Sequence, residues 1–352
     1  MPQATRRGLS KVVTRRSVLI AAVLLLALPA LLVAAPKGDP PRPDPNRISS
    51  LPSHIERVAP SIVGIHVEVP SDRPSAATLG TERWGSGVIF DQAGYALTVS
   101  YVLLDAAWID VTLRDGRKVP AKLIGLDLES GLGVVKLDGP GPWQAATLGN
   151  STGMAVGDVT GTVGFDDGGT LVAVPGKVQE IKPFAASWEY MLDRAILVAP
   201  SSPAFGGAAL VDATGVVVGI TSLRLGEAPF VNLAVPIEQF LVGRAELIAR
   251  GRVESRRPRP WIGLYTRELV GGGVIVAGVS PIGPARMAGF RPGDVIVRVN
   301  GAEVSSQAEF YRRLWLGVVG QDVQLVVMRD ARLEAITVRP VDRYRLLKTS
   351  HP

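Results

Sequence analysis

The chain contains no cysteine, which excludes disulfides, thiol nucleophiles and thiolate metal sites. Histidine is nearly absent as well, with only His54, His66 and His351 in 352 residues. No grouping of His, Asp and Glu has ligand spacing, so neither a metal nor a cofactor is expected. Acidic residues are missing before Asp39, whereas Arg6, Arg7, Lys11, Arg15 and Arg16 all fall in that stretch. The formal charge of +6 is therefore concentrated in one tail. The remainder is close to neutral, and nucleic acid is not an expected partner.

Directly behind that tail (residues 1–17) runs VLIAAVLLLALPALLVAA, Val18 to Ala35, without a single charge. At a helical rise of 1.5 Å per residue such a run spans about 27 Å, enough to cross a hydrocarbon core. The basic flank would stay cytoplasmic and place the rest of the chain across a bacterial-type cytoplasmic membrane. Two readings stand: an uncleaved transmembrane helix, or a signal segment cleaved after Val33-Ala34-Ala35. The paired arginines of TRRSVL, Thr14 to Leu19, fit a twin-arginine signal or simply positive-inside residues. A Pro-rich linker over residues 36–50 follows, a composition that does not pack.

From Ile55 to about Val242, short apolar strands alternate with turn signals, the pattern of an all-β barrel or sandwich. Expected strands are Ser61 to Val69, Gly85 to Phe90, Tyr95 to Val99, Gly133 to Asp138, the hairpin ALVDATGVVVGITS, and Phe230 to Val235. Asp115-Gly116 should form a tight turn. PIEQFLVGRAELIARGR reads as one helix opening at Pro236 and ending near Gly251. RGRVESRRPRP, residues 250–260, reads as a solvated, Pro-containing linker.

Several ordered stretches now bear on identity. They are Trp84-Gly85-Ser86-Gly87-Val88-Ile89, Gly94-Tyr95-Ala96-Leu97-Thr98, Leu132-Gly133-Val134-Val135-Lys136-Leu137, Gly157-Asp158 and Pro203 to Ile220. Together they resemble the HtrA (DegP-like) serine proteases. The resemblance implies an all-β dominated fold: a trypsin-like double β-barrel over residues 51–249, then an α+β PDZ domain over residues 261–340 and a tail at 341–352. The PDZ likeness rests on Gly283-Pro284-Ala285-Arg286-Met287-Ala288-Gly289-Phe290, Arg291-Pro292-Gly293-Asp294-Val295-Ile296 and Val299-Asn300-Gly301.

The same resemblance implies a histidine after the strand ending in Leu97-Thr98, an aspartate between Asp127 and Lys136, and a serine between Pro203 and Val211. Tyr101, Gly131 and Gly206 stand at the matching positions. A phenol with a pKa of about 10 is a poor base at neutral pH, and glycine offers neither nucleophile nor carboxylate. The expectation is thus a catalytically degenerate member, not an enzyme, with a vestigial oxyanion turn at Ala204, Phe205 and Gly206. The alternative is an active HtrA-type serine endopeptidase using other residues, for which Ser201 and Ser202 lie closest in sequence. His66 is expected to be a structural or surface strand residue.

PDZ domains of this kind bind peptides by strand addition, with backbone N–H groups holding a carboxylate. The resemblance assigns that loop to Trp261, Ile262, Gly263 and Leu264. Phe310 and Leu314, spaced i, i+4 in SSQAEFYRRLWL, either line the other wall or pack the core. Expected partners are unfolded or carboxy-terminal peptide segments, an active HtrA-type protease, and other copies in a homotrimer or mixed oligomer. The role implied is that of adaptor, sensor or regulatory subunit in extracytoplasmic protein quality control.

Overall fold

The computed structural model describes residues 52–346. The apolar run at 18–35 lies outside them. Among the described residues no helix is long and apolar enough to cross a membrane.

Six strands close the first barrel: β1 (Ile62–Glu68), β2 (Glu82–Ile89), β3 (Tyr95–Val99), β4 (Trp108–Thr112), β5 (Lys118–Asp127) and β6 (Leu132–Leu137), in the order β1-β2-β3-β6-β5-β4. Six more close the second: β7 (Val159–Phe165), β8 (Leu171–Ala186), β9 (Tyr190–Ala199), β10 (Ala209–Asp212), β11 (Val217–Leu225) and β12 (Val231–Pro236), in the order β10-β11-β12-β9-β8-β7. Closure leaves no free edge in either barrel. The barrels share one apolar cluster, so several strands read as hydrophobic runs rather than alternations. At their contact, a side chain at Gly64 would press on the Phe165 ring at 3.2 Å.

Short helices fill the connections: α1 (Ser53–Val58), α2 (Ala76–Leu79) and α3 (Ser100–Leu103). The single helix expected from Pro236 to Gly251 is instead two, α4 (Glu238–Leu241) and α5 (Arg244–Arg250), after β12 takes Pro236. The break falls at Gly243, where a Cβ would meet a Val253 methyl at 2.5 Å. Close packing against the returning chain, rather than helix propensity, sets that boundary.

The expectation of a solvated linker also gives way. Val253 is buried in the barrel core. Arg256 pairs with the buried Asp127 at 2.5 Å and donates to the Gln239 carbonyl at 2.9 Å. Arg259 faces Glu129 at 3.5 Å and lies over the Trp315 ring at 4.1 Å. These long-range partners, unreadable from charge counting, fix the connection between the domains.

The second domain is a sheet in the order β14-β15-β16-β18-β19, with β17 on β16. Its strands are β14 (Leu264–Glu268), β15 (Val274–Val279), β16 (Val295–Val299), β17 (Ala302–Glu303), β18 (Val323–Arg329) and β19 (Arg332–Val338). The two-residue strands β13 (Pro260–Trp261) and β20 (Val341–Asp342) pair separately. Helices α6 (Pro284–Ala288) and α7 (Gln307–Trp315) complete it. Helix α7 opens with the Ser306 hydroxyl accepting from the Glu309 N–H, while the Glu309 carboxylate accepts from Ser305. That reciprocal cap gives the helix a defined start.

Candidate functional site

Two places matter: the seam between the barrels, where the protease-like positions meet, and the groove between β14 and α7.

At the seam, the fold brings Tyr101, Gly131 and Gly206 into one neighbourhood. The Ser86 N–H donates to the Gly206 carbonyl at 2.7 Å, tying β2 to the turn before β10. A Cβ built at Gly206 would lie 3.0 Å from the Tyr101 hydroxyl. That hydroxyl donates to the Ser222 carbonyl on β11 at 2.9 Å and so bridges the two barrels. Burial, reinforced by the charge of Asp167, pushes the phenol well above its ordinary pKa. Tyr101 is therefore a fixed hydrogen-bond donor at neutral pH rather than a base.

Gly131 holds φ +77°, and a Cβ there would lie 3.0 Å from the Tyr190 hydroxyl. Its carbonyl accepts from the Ser100 N–H at 2.8 Å, next to Tyr101. Tyr190 reaches in from β9 and donates to the Ser130 carbonyl at 2.8 Å. In the turn of Ala204, Phe205 and Gly206, the Ala204 N–H already donates to the Ser202 hydroxyl at 3.2 Å. Ser202 is fully buried, and its own N–H donates to Asn232 at 2.6 Å. His66 stacks on Trp84 at 4.0 Å across β1 and β2. Trp84 immediately precedes Gly85, whose Cβ direction faces the Gly206 carbonyl; strand alternation turns the stack to the opposite face. Asp127 and Glu129 serve the interdomain arginines described above. Among the described residues no cluster suits a metal ion.

In the second domain, Trp261, Ile262, Gly263 and Leu264 are buried and form the turn into β14. Gly263 holds φ +84°, and a Cβ there would meet the Gly283 Cα at 2.8 Å, so only glycine fits. The conformation aims three successive amides at one point. The Ile262 N–H lies 3.1 Å from one carboxylate oxygen of Glu189, and the N–H groups of Gly263 and Leu264 lie 2.7 and 2.8 Å from the other. Phe310 and Leu314 are fully buried in the core beneath α7. The groove-facing polar groups are instead Thr266, Gln307 and Tyr311, joined by a Gln307 to Thr266 hydroxyl bond and a Thr266 to Tyr311 hydroxyl contact, both 2.9 Å.

Sequence reasoning missed Glu189 and Tyr190. Each is an isolated residue in the β8–β9 hairpin, and their partners lie some sixty to seventy-five residues away in the chain. No local spacing signals such a contact.

Double barrel, seam and amide loop together define a trypsin-like peptidase domain followed by a PDZ domain. Two family models match, the trypsin-like peptidase domain over residues 85–220 and the PDZ domain over residues 253–339. The chain is 30% identical to the serine endoprotease DegS of Escherichia coli, covering 89% of this chain and 92% of that protein. It is 31% identical to the putative serine protease HhoA of Synechocystis, over 72% of this chain and 70% of the relative. Among solved structures it is similar to the HtrA-type protease AlgW with a decapeptide, at TM-score 0.52 and 27% identity, covering 82% of this chain and 98% of that one. The chain belongs to the HtrA (DegP-like) family of serine proteases.

These relatives correct one expectation. The residues at three matched positions predict a chain that is not an enzyme, yet the relatives it follows over most of its length are named a serine endoprotease and a putative serine protease. The phenol at Tyr101 and the absent side chains at Gly131 and Gly206 argue against one constellation of groups, whereas the family assignment concerns the class of reaction.

Proposed function

We propose that this protein is an HtrA-family regulator of extracytoplasmic protein quality control that recognises unfolded or carboxy-terminal peptide segments through its PDZ domain. The observation that carries the reading is the convergence of three buried amides, Ile262, Gly263 and Leu264, on a single carboxylate. Such a nest favours an anionic group through oriented N–H dipoles and desolvates it on all sides. The strand β14 beside it ends its sheet and offers an edge for strand addition. Solved relatives described as complexes with a decapeptide and a tripeptide support the same reading.

The test is binding of a fluorescein-labelled decapeptide library to the full-length protein, with free and with amidated carboxy termini. Free termini should bind at least tenfold tighter, since an amide cannot fill an anion nest. Equal binding of both would contradict the reading. Casein turnover by the same preparation, compared with Ser201→Ala and Ser202→Ala variants, tests whether either hydroxyl serves peptidase chemistry in this chain. The reading also includes a membrane anchor at residues 18–35 with the folded domains extracytoplasmic, carried by the uncharged apolar run behind the basic tail. Extraction of the native protein by alkaline carbonate rather than by detergent alone would contradict the anchor. Assembly as a homotrimer or mixed oligomer belongs to the same proposal and is tested by light scattering.

A further inference from the structure

The groove just described is not free. The turn between β8 and β9 lies in it and supplies each kind of contact that a bound peptide would make. Thr266 on β14 donates its backbone N–H to the Ser187 carbonyl at 2.8 Å. Two residues back along β14, the Leu264 N–H meets the Glu189 carboxylate, two residues on along the turn. One side-chain contact, Leu264 with Glu189, and one backbone bond, Thr266 with Ser187, place the turn antiparallel to β14, the sense in which a ligand strand adds to a sheet edge. From α7, the Tyr311 hydroxyl donates to the Ala186 carbonyl at 2.6 Å and accepts from the Glu189 N–H at 3.1 Å. Gln307 adds a bond to the same Ala186 carbonyl at 3.2 Å. Met191, from the barrel strand β9, is buried within the apolar cluster of the PDZ domain that also holds Phe310 and Leu314.

The backbone of Glu189 is also unusual. It holds φ +56°, a left-handed conformation that a non-glycine residue adopts only at an energetic cost. Nothing in a two-strand connection requires a glutamate there. The side chain is buried, and its oxygens are met by the three amides. A carboxylate, a paired backbone and an apolar plug thus arrive together from the barrel domain.

Resting on the peptide-binding reading above, the structure assigns to the β8–β9 turn the role of an internal ligand: Ala186 to Met191 occupies the protein's own PDZ groove, with the Glu189 side chain in the place of a peptide's terminal carboxylate. External peptides therefore compete with this turn, and the apparent affinity is the intrinsic affinity reduced by the fraction of molecules in which the turn has left. Sequences that bind must offer a carboxylate to the same three amides.

The test compares full-length wild type with Glu189→Ala and with Tyr311→Phe. The first removes the internal carboxylate. The second removes the two hydroxyl contacts to Ala186 and Glu189 while leaving the amides and the aromatic ring in place, and so stands in if the first misfolds. The probe is the tightest-binding decapeptide with a free carboxy terminus from a fluorescein-labelled library, followed by anisotropy. Both variants should bind it more tightly than wild type, by up to about tenfold if the turn is docked nine-tenths of the time and is fully released. Amidation of the probe should cancel the gain. Equal affinity across the three proteins overturns the internal-ligand assignment and leaves the peptide groove standing. Absence of binding in all three overturns the groove itself, and the assignment with it.

Discussion

Glu189 gives the interdomain contact a dependence on pH that can be worked out from its surroundings. Burial pushes its carboxyl from an ordinary value of 4.5 up to about 7, against the pull of the amides of Leu264, Ile262 and Gly263 and the charge of Arg343. An acid whose pKa is raised in the folded protein holds its proton more tightly there than in the unfolded chain. Between pH 4.5 and about 7 the folded state therefore binds more protons, and stability falls as pH rises through that window. At about 1.4 kcal/mol per pH unit, the contribution lost is of the order of 3 kcal/mol.

Other groups near Glu189 titrate or carry charge. They are Arg343, Tyr311, Tyr265, Tyr344, Arg259, Glu129 and Asp342. Glu129 is itself pushed up by burial, so the wild-type curve alone would not identify Glu189. The perturbation is therefore Glu189→Gln, which keeps the shape and removes the titration. Urea denaturation of both proteins from pH 4.5 to 8 supplies the assay. Wild type should lose stability relative to the variant as pH rises, with most of the change complete by pH 8. Two curves running parallel across the window would refute the reasoning.

Further expectations concern the seam and the PDZ sheet. Tyr101→Phe leaves the Ser222 carbonyl without its 2.9 Å donor and should cost about 1–3 kcal/mol in urea denaturation. Gly131→Ala places a side chain at φ +77° and 3.0 Å from the Tyr190 hydroxyl, so its melting temperature should drop by several degrees, with a cost above about 1 kcal/mol. Arg329→Ala strands Asp294, which is 1% exposed and meets that guanidinium at 2.7 Å through both oxygens. Calorimetry should show a loss of about 3–5 kcal/mol, as expected when one partner of a buried pair is removed.

The architecture was legible where function and packing share a local pattern. β3, Tyr95–Val99, coincides with its expected range, and the strands around Gly85, Gly133 and Val231 begin or end within a few residues of expectation. The strands β7, β8 and β9 were not foreseen, although β8 and β9 carry the hairpin that reaches the groove. Their polar and apolar residues follow a strand that leaves the barrel and meets a second domain, so no single periodicity describes them. Arg256 and Arg259 read as solvated linker charges because their partners, Asp127 and Glu129, are remote in sequence. At the seam, the motif order located Tyr101, Gly131 and Gly206 as neighbours. Residue identity at three positions does not decide the reaction class of a family fold, and the named proteases among the relatives overturn the expected absence of enzymatic function. Phe310 and Leu314 followed helical spacing faithfully, but the same spacing serves a core and a groove wall equally.

In the peptide-free protein the three amides are held by the protein's own carboxylate. Amide hydrogen exchange at Ile262, Gly263 and Leu264 in the peptide-free, full-length protein measures this directly. Slow exchange at all three, becoming at least tenfold faster in Glu189→Ala while the β16 amides keep their rate, is the predicted result. Rapid exchange at these amides in wild type, or rates indifferent to Glu189→Ala, would contradict it.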